Sequence, residues 1–276
     1  MDAIAAAQAL SEIGYLLRQD PEERFRAKAF SAAAWSIALE RPDLDALQRT
    51  NGFTTLEGVG PGIAKVLTDL IEHGESRYLE RLREQMKQPA REDESALDLA
   101  EYQGDVHSHT RWSDGRATML EMAQGARALG YRYLGITDHS PRITVVNGLD
   151  AERLLAQSNE MAEVQRQVPD VTLLQGIEVD ILEDGSLDLP DAVLEILDFV
   201  IASPHVKLRQ EPAAMTQRML RAVSHPHVDL IGHPTGRRPG SREGATYDFE
   251  LVFREAAKHG VAVEIDTDPA RMDLSP

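Results

Sequence analysis

Two rhythms of apolar and polar residues divide the chain. Up to residue 87 the apolar positions recur at intervals of three and four, the spacing that places them on one face of an α-helix. Ala5, Ala9, Ile13, Leu16 and Leu17 form one such stripe, and Phe25, Ala29, Ala32, Ala33 and Ile37 form a second after Pro21. A third helix is predicted after the turn Leu56-Glu57-Gly58-Val59-Gly60-Pro61-Gly62; it carries Ile63, Val66, Leu67 and Leu70 and stops at Gly74, a residue suited to a helix C-terminus. A fourth runs from Tyr78 to about Met86.

Residues 88–100 are polar, charged and interrupted by Pro89, which marks them as a linker. From residue 101 to 276 the pattern becomes an alternation. Apolar, strand-like runs at 102–107, 133–138, 171–181, 198–204, 228–232 and 261–266 are separated by helical stretches near 117–129, 151–167, 190–197, 212–223 and 248–259. Strand-helix alternation predicts a parallel sheet with crossover helices, and for a single array of this length a β/α barrel. The expected organisation is therefore a small all-α domain (1–87), a linker (88–100) and an α/β domain (101–276).

Composition narrows the chemistry. Of 276 residues, 42% are hydrophobic and 27% charged, and none is cysteine, so a thiolate zinc site, a cysteine nucleophile and a disulfide scaffold are excluded. Any metal must be held by His, Asp or Glu. No apolar run approaches the ~20 residues of a membrane span, and Met1-Asp2-Ala3-Ile4 lacks the positive start of a signal peptide; a soluble, cytoplasmic protein with no membrane partner is expected. With 46 acidic against 29 basic residues the net charge is −17, which argues against a broad electrostatic grip on nucleic acid. Divalent ions in a cleft would reverse that sign locally.

The predicted strands end in ionisable residues. Strand one runs into Asp105-Val106-His107-Ser108-His109 and then Asp114; strand two ends at Asp138-His139; strand three contains Glu178 and Asp180; strands four and five end at His205 and His233. In a parallel barrel the strand C-termini share the face on which active sites are built. Seven such groups, His107, His109, Asp114, His139, Glu178, His205 and His233, exceed the needs of one four-coordinate ion and predict a cluster of two or three. Such clusters serve phosphoester hydrolysis, polarising a phosphoryl oxygen and lowering the pKa of water. Any one of these groups alone has a bland explanation as a polar strand end, but Glu178 inside an apolar run does not, because a buried unpaired carboxylate is costly. His225-Pro226-His227 precedes strand five and reads as a loop, while His73 and His259 fall near helix C-termini, where the helix dipole suffices to explain them.

At these residues the sequence resembles the PHP (polymerase and histidinol phosphatase) domain in the version fused to bacterial family X DNA polymerases. The stretches that carry the resemblance are DVHSHTRWSDG, GITDHS, VNGLDAERLLAQ, LLQGIEVDILEDGSLDLPD, LDFVIASPH, DLIGHPTGR and VEIDTDPARMDL. It implies a distorted seven-stranded β/α barrel, two to three Mn or Zn ions, and 3′–5′ exonuclease or 3′-end processing of DNA, a DNA repair activity. The family's ligands fall on His107, His109, Asp114, His139, Glu178, His205 and His233, with Glu178 bridging two ions. Of these, Glu178, His107, His109, His205 and His233 form the implied catalytic core. Arg237 and Arg242 are implied phosphate contacts, matching a guanidinium fork to phosphate oxygens, with a solvated loop charge as the alternative. Asp138 is expected to orient a ligand from behind.

The helical domain resembles the small domain at the front of family X polymerases, and LEGVGPGIAKVL matches the helix-hairpin-helix pattern. Gly58, Gly60, Gly62 and Lys65 are the implied DNA contacts, the glycines by close backbone approach. Relatives with lyase activity carry a Schiff-base lysine where this chain has Val66; Lys65, one position earlier, is turned ~100° around the helix, so no lyase activity is expected. The nucleotidyltransferase segment that normally separates the two domains is missing, and polymerase activity is not expected. The family's last strand carries Asp-x-His, whereas this chain stops at Asp273-Leu274-Ser275-Pro276. The expectation is a C-terminally truncated barrel with an open edge, in which only the Glu178, His205 and His233 site is complete. Asp266 and Asp268 stand where relatives have asparagines and are not expected to substitute. Two other readings remain open at this point: a small-molecule phosphatase of the histidinol phosphatase type, and a truncated DNA-binding protein of weak activity.

Overall fold

The computed structural model describes residues 1–85, 102–239, 241–268 and 271–274; the predicted linker 88–100 and the terminal Ser275-Pro276 lie outside the described residues. The chain forms two compact units, the main division falling between Ala96 and Leu97.

In the first unit the apolar stripes become helices α1 (Ala3–Leu17), α2 (Arg24–Glu40), α3 (Leu44–Arg49), α4 (Pro61–His73) and α5 (Arg77–Gln85). Asp2 caps α1 by accepting from the N–H groups of Ile4 and Ala5, and Gly74 ends α4 with φ of 76°. The predicted stripes are right at Ile13, Leu17, Ala33 and Ile37, which are buried, and displaced at their other positions. The buried face of α1 is Ala6, Leu10, Ile13 and Leu17, and that of α2 is Ala27, Phe30, Ala33, Ala34 and Ile37; Phe25 is 72% exposed, beneath the guanidinium of Arg24. Alanines occupy every face of these helices, and a methyl group carries little information about which face is buried. Helix α3 was not anticipated. Six residues span too few turns to show a period, although Asp43, which caps it through the Ala46 N–H, is a recognisable start signal.

The second unit alternates as predicted. Strands β1 (Gly104–Ser108), β2 (Tyr133–Ile136), β3 (Thr172–Asp180), β4 (Phe199–Ser203), β5 (Leu230–Ile231) and β6 (Ala262–Val263) pair in chain order, every pair parallel. They form a curled half-barrel of six strands in which, among the described residues, β1 and β6 each pair on one side only. Helices α6 (Met119–Ala128), α7 (Ala151–Gln167), α8 (Asp191–Leu194), α9 (Pro212–Val223) and α10 (Phe249–His259) make the crossovers. Helix α8 is shorter than the expected 190–197 because Asp198 is already committed to the sheet: its N–H donates to the Gln175 carbonyl and its carboxylate accepts from the Gln175 N–H.

Alternation along the strands separates core from site. On β3, Ile177 and Val179 pack under Met215, Met219 and Val223 of α9 and Val252 of α10, each such side chain contributing roughly 1.5–3 kcal/mol on burial. Gly176, Glu178 and Asp180 point the other way, into the half-barrel. There the Phe199 ring lies across Gly135 and Gly176 of two neighbouring strands; a Cβ on Gly176 would come within 2.8 Å of two ring atoms. Gly176→Ala is therefore expected to destabilise the protein by about 1–3 kcal/mol in urea unfolding, and by clearly less in a Phe199→Leu background. Equal cost in both backgrounds would show that the ring is not the obstacle.

Candidate metal centre

Glu178 is 1% exposed and its carboxylate is surrounded by imidazoles. Oε1 lies 2.7 Å from His233 Nε2, 3.2 Å from His205 Nε2 and 3.4 Å from His107 Nε2, while Oε2 lies 3.0 Å from His139 Nδ1 and 3.2 Å from His109 Nε2. The five rings close a circle around it, with neighbouring centroids 4.4–5.8 Å apart. Asp114 completes the constellation, 2.8 Å from His109 Nδ1 and 3.7 Å from His139 Nε2.

Each ligand is held from behind. A register shift in β1 between Asp105 and Ser108 re-aims the strand end, as bulges do beside active sites, and Asp105 accepts the His107 N–H. The buried Asp138 carboxylate accepts from Thr110 N–H and Oγ1, Ser113 N–H and Oγ, and Gln157 Nε2, which fixes the loop between His109 and Asp114. The β2–β3 ladder continues past β2 through Glu178 N–H to the Asp138 carbonyl and Ser140 N–H to the Glu178 carbonyl, so His139 stays beside Glu178. Asp180 approaches His205 Nδ1 at 3.2 Å. Glu264, just beyond β6, binds His107 Nδ1 through Oε1 at 2.5 Å and accepts the His233 N–H through Oε2 at 2.5 Å. That second bond holds His233 at φ of 23°, an uncommon conformation of a kind that clusters at functional sites.

The donors suit a divalent metal better than one another. Despite these close approaches, both Glu178 oxygens, Nδ1 of His139 and of His233, and both ring nitrogens of His205 are buried without a partner in hydrogen-bond geometry among the described residues, an arrangement that leaves their lone pairs available to an ion. Their atoms fall into three groups, each within 4.8 Å: His107, Glu178 and His233; His109, Asp114 and His139; and His139, Glu178 and His205. Imidazole with carboxylate fits Zn, Mn or Fe. A model of the PHP domain matches residues 105–267, more than half of the chain. The chain belongs to the PHP domain family.

Relatives agree on the domain. The chain is 42% identical over 178 residues to the DNA polymerase/3′-5′ exonuclease PolX of Bacillus subtilis, covering 64% of this chain and 31% of that protein. It is 31% identical over 196 residues to a probable phosphatase of Clostridium acetobutylicum (59% of this chain, 77% of that protein) and 34% identical over 167 residues to one of Photobacterium profundum (59% and 63%). It spans about a third of the Bacillus protein's length and about three quarters of the Clostridium one's.

The structure brings together all seven residues expected as ligands, in three groups that could each hold an ion. The implied phosphate contacts lie apart: Arg237 and Arg242 line a neighbouring cavity, and the arginine in the metal cleft is Arg271, whose buried Nη1 has no hydrogen-bond partner. Of the two aspartates not expected to substitute, Asp266 lines the cleft. Sequence reasoning passed over Glu264, Asp180 and Arg271. The sixth predicted strand ends at the same rim as the other five, so its Glu264-Ile265-Asp266 held the same signal as His205 and His233. Gly58, Gly60, Gly62 and Lys65 line a groove of about 890 Å³ in the first unit, while Val66 turns into the core. His225 faces Asp191 at 3.3 Å, away from the cleft. Among the described residues no helix is long and apolar enough to cross a membrane.

Burial opposes a proton on His107, but Glu178 and Glu264 override it and push the imidazole up to about 10. The same contest, with Asp114 and Glu178 prevailing, raises His109 to about 9, and Asp180 with Glu178 raises His205 to about 9. His233 goes the other way, lowered by burial. With His107, His109 and His205 raised in this way, a metal bound at neutral pH would displace protons from them. Affinity is thus expected to rise as pH rises toward about 9, with more than about one proton released per chain at pH 7; calorimetry in buffers of different ionisation enthalpy reads this, and a buffer-independent enthalpy would contradict it. Glu264→Gln removes the carboxylate that orients His107, and metal affinity measured by competition with a chelator is expected to fall by about 10–100-fold.

Proposed function

We propose that the chain is a metal-dependent phosphoesterase that acts on DNA, trimming or processing 3′ ends, with no polymerase role for these residues. The observation that carries the reading is the buried carboxylate of Glu178, each of whose oxygens faces a different set of imidazoles. That is the arrangement of a bridging ligand between ions. Two to three divalent ions, Mn or Zn, held by His107, His109, Asp114, His139, Glu178, His205 and His233, would stabilise charge on a phosphoryl group and lower the pKa of water. The protein supplies the rest. Arg271 lines the cleft, where its Nε pairs with Asp266 at 3.4 Å, and a guanidinium there is suited to a phosphate oxygen. Glu264 keeps His107 and His233 in place, and Asp138 holds the loop that presents His109 and Asp114.

DNA is favoured over a small ester by the first unit. Gly58 has φ of 77°, which favours glycine, and a Cβ there would sit tightly, 3.3 Å from the Ala33 nitrogen, but a Cβ on Gly60 or Gly62 would touch nothing within 4 Å. Nothing internal demands glycine there. Gly60 is the N-cap of α4 and offers no side-chain hydrogen bond, so the first N–H groups of the helix are bare, as anion binding at a helix start requires. Lys65, Arg26, Arg77 and Arg81 line the same groove. The competing reading, a phosphatase of small phosphomonoesters such as histidinol phosphate, is favoured by the relatives named as probable phosphatases.

Both are tested side by side on the purified full chain, with 3′-recessed DNA and histidinol phosphate as substrates and Mn or Zn supplied. Shortening of the DNA strand is expected, abolished by EDTA and reduced at least about a hundredfold by Glu178→Ala. Turnover of histidinol phosphate alone would replace the DNA reading with the second one, and less than one bound metal per chain with no turnover of either would replace both with a DNA-binding role.

A further inference from the structure

The rim of the half-barrel carries a second cavity, of about 810 Å³, lined by Arg209, Arg237, Ser241, Arg242 and Glu243. Its position follows from the strands that build the metal centre. Arg209 stands four residues after His205 and Arg237 four residues after His233, on the loops that follow the adjacent strands β4 and β5. Each loop delivers an imidazole first and a guanidinium one step further out. The two cavities share a wall, because Arg237 Nε donates to the carbonyl of Arg271, whose side chain lines the metal cleft.

The charge in this cavity is unbalanced. In a chain of net charge −17, none of Arg209, Arg237, Arg238 and Arg242 forms an ion pair among the described residues. Arg242 uses only Nε, donating to the Gly236 carbonyl, and Arg237 likewise only Nε, which leaves the terminal Nη groups of both forks without hydrogen bonds among the described residues. Asp273 is the nearby counter-charge: its oxygens accept from Thr235 N–H and Oγ1, and it offsets only part of the positive charge, since it forms no ion pair with these arginines among the described residues. Burial, Arg238 and Arg271 act against the charge on Arg242 and outweigh the support of Asp273. Guanidiniums gathered against their mutual repulsion, with free forks, present the geometry of a phosphate site.

We propose that the arginine cavity holds a second phosphate of the substrate, one removed from the phosphoryl group at Glu178, and that the substrate is accordingly a phosphodiester strand and not an isolated monoester. The inference rests on the phosphoesterase reading for which phosphate is cut, but not for binding itself. Arg209 is the residue to change, because it makes no hydrogen bond or ion pair among the described residues whose loss would disturb the fold.

Two measurements on the full chain separate the outcomes. In the kinetic one, Arg209→Gln is expected to raise the KM for a trinucleotide about tenfold relative to that for bis(p-nitrophenyl) phosphate, which has a single phosphoryl group, and to reduce the salt dependence of log KM by about one. Equal changes for both substrates, or none, overturn the proposal. In the binding one, fluorescence anisotropy of a labelled trinucleotide in EDTA is expected to show weaker binding for Arg209→Glu than for the unaltered chain; identical binding overturns the proposal. If the unaltered chain cleaves neither substrate, the phosphoesterase reading fails, and the binding measurement still decides whether the cavity takes a phosphate strand.

Discussion

The structure of the second unit depends on a carboxylate held where carboxylates are expensive. Glu178 lies in the middle of β3, almost wholly buried, and only the positive charge that His107, His109 and His205 acquire beside it, or metal ions in the same place, makes an ionised group tolerable there. Around that requirement the rest is arranged. Five consecutive parallel strands must end at one face to bring an imidazole or carboxylate each, and parallel pairing in chain order with helical crossovers is the topology that achieves it. The strand interiors then divide their two faces, with Ile177 and Val179 against the helices and Glu178 and Asp180 toward the cleft.

Behind the ligands stands a layer of carboxylates with no direct share in the group they support. Asp138 binds a loop, Asp180 and Glu264 bind rings, and Asp188 joins Ser140 to the N–H of Asp180. Orientation of imidazoles by such partners is what keeps metal-ligand geometry within narrow limits. The acidity of the chain, which at first sight speaks against a phosphate-bearing substrate, is in part the cost of this support; Arg271 stands in the cleft beside it, while Arg209, Arg237 and Arg242 lie on the loops beyond His205 and His233.

Much of this was legible in the sequence, for identifiable reasons. Histidine at a strand end is rare enough, and the strands regular enough, that His107, His139, His205 and His233 locate the rim without coordinates. What escaped is equally specific. Glu264 lies within the predicted run 261–266 and shares the rim position of His205 and His233, but its role depends on a ring 157 residues away and a backbone N–H, partners that no local pattern reports. The alanine-rich helices α1 and α2 could be recognised but only partly phased, because alanine fits either face. Arg237 and Arg242 were correctly seen as unusual, but their place in a cavity of their own depends on loop paths that no periodicity reports.

Glu264 has one more consequence. It comes from the end of β6, and His107 from β1, two strands that no backbone ladder joins among the described residues. The seam of the open sheet is therefore fastened by side chains of the metal centre. Chemistry and closure share one clasp, so whatever occupies the centre also governs how tightly the first and last strands are drawn together, and loss of metal would be felt as a loosening of the fold along that seam.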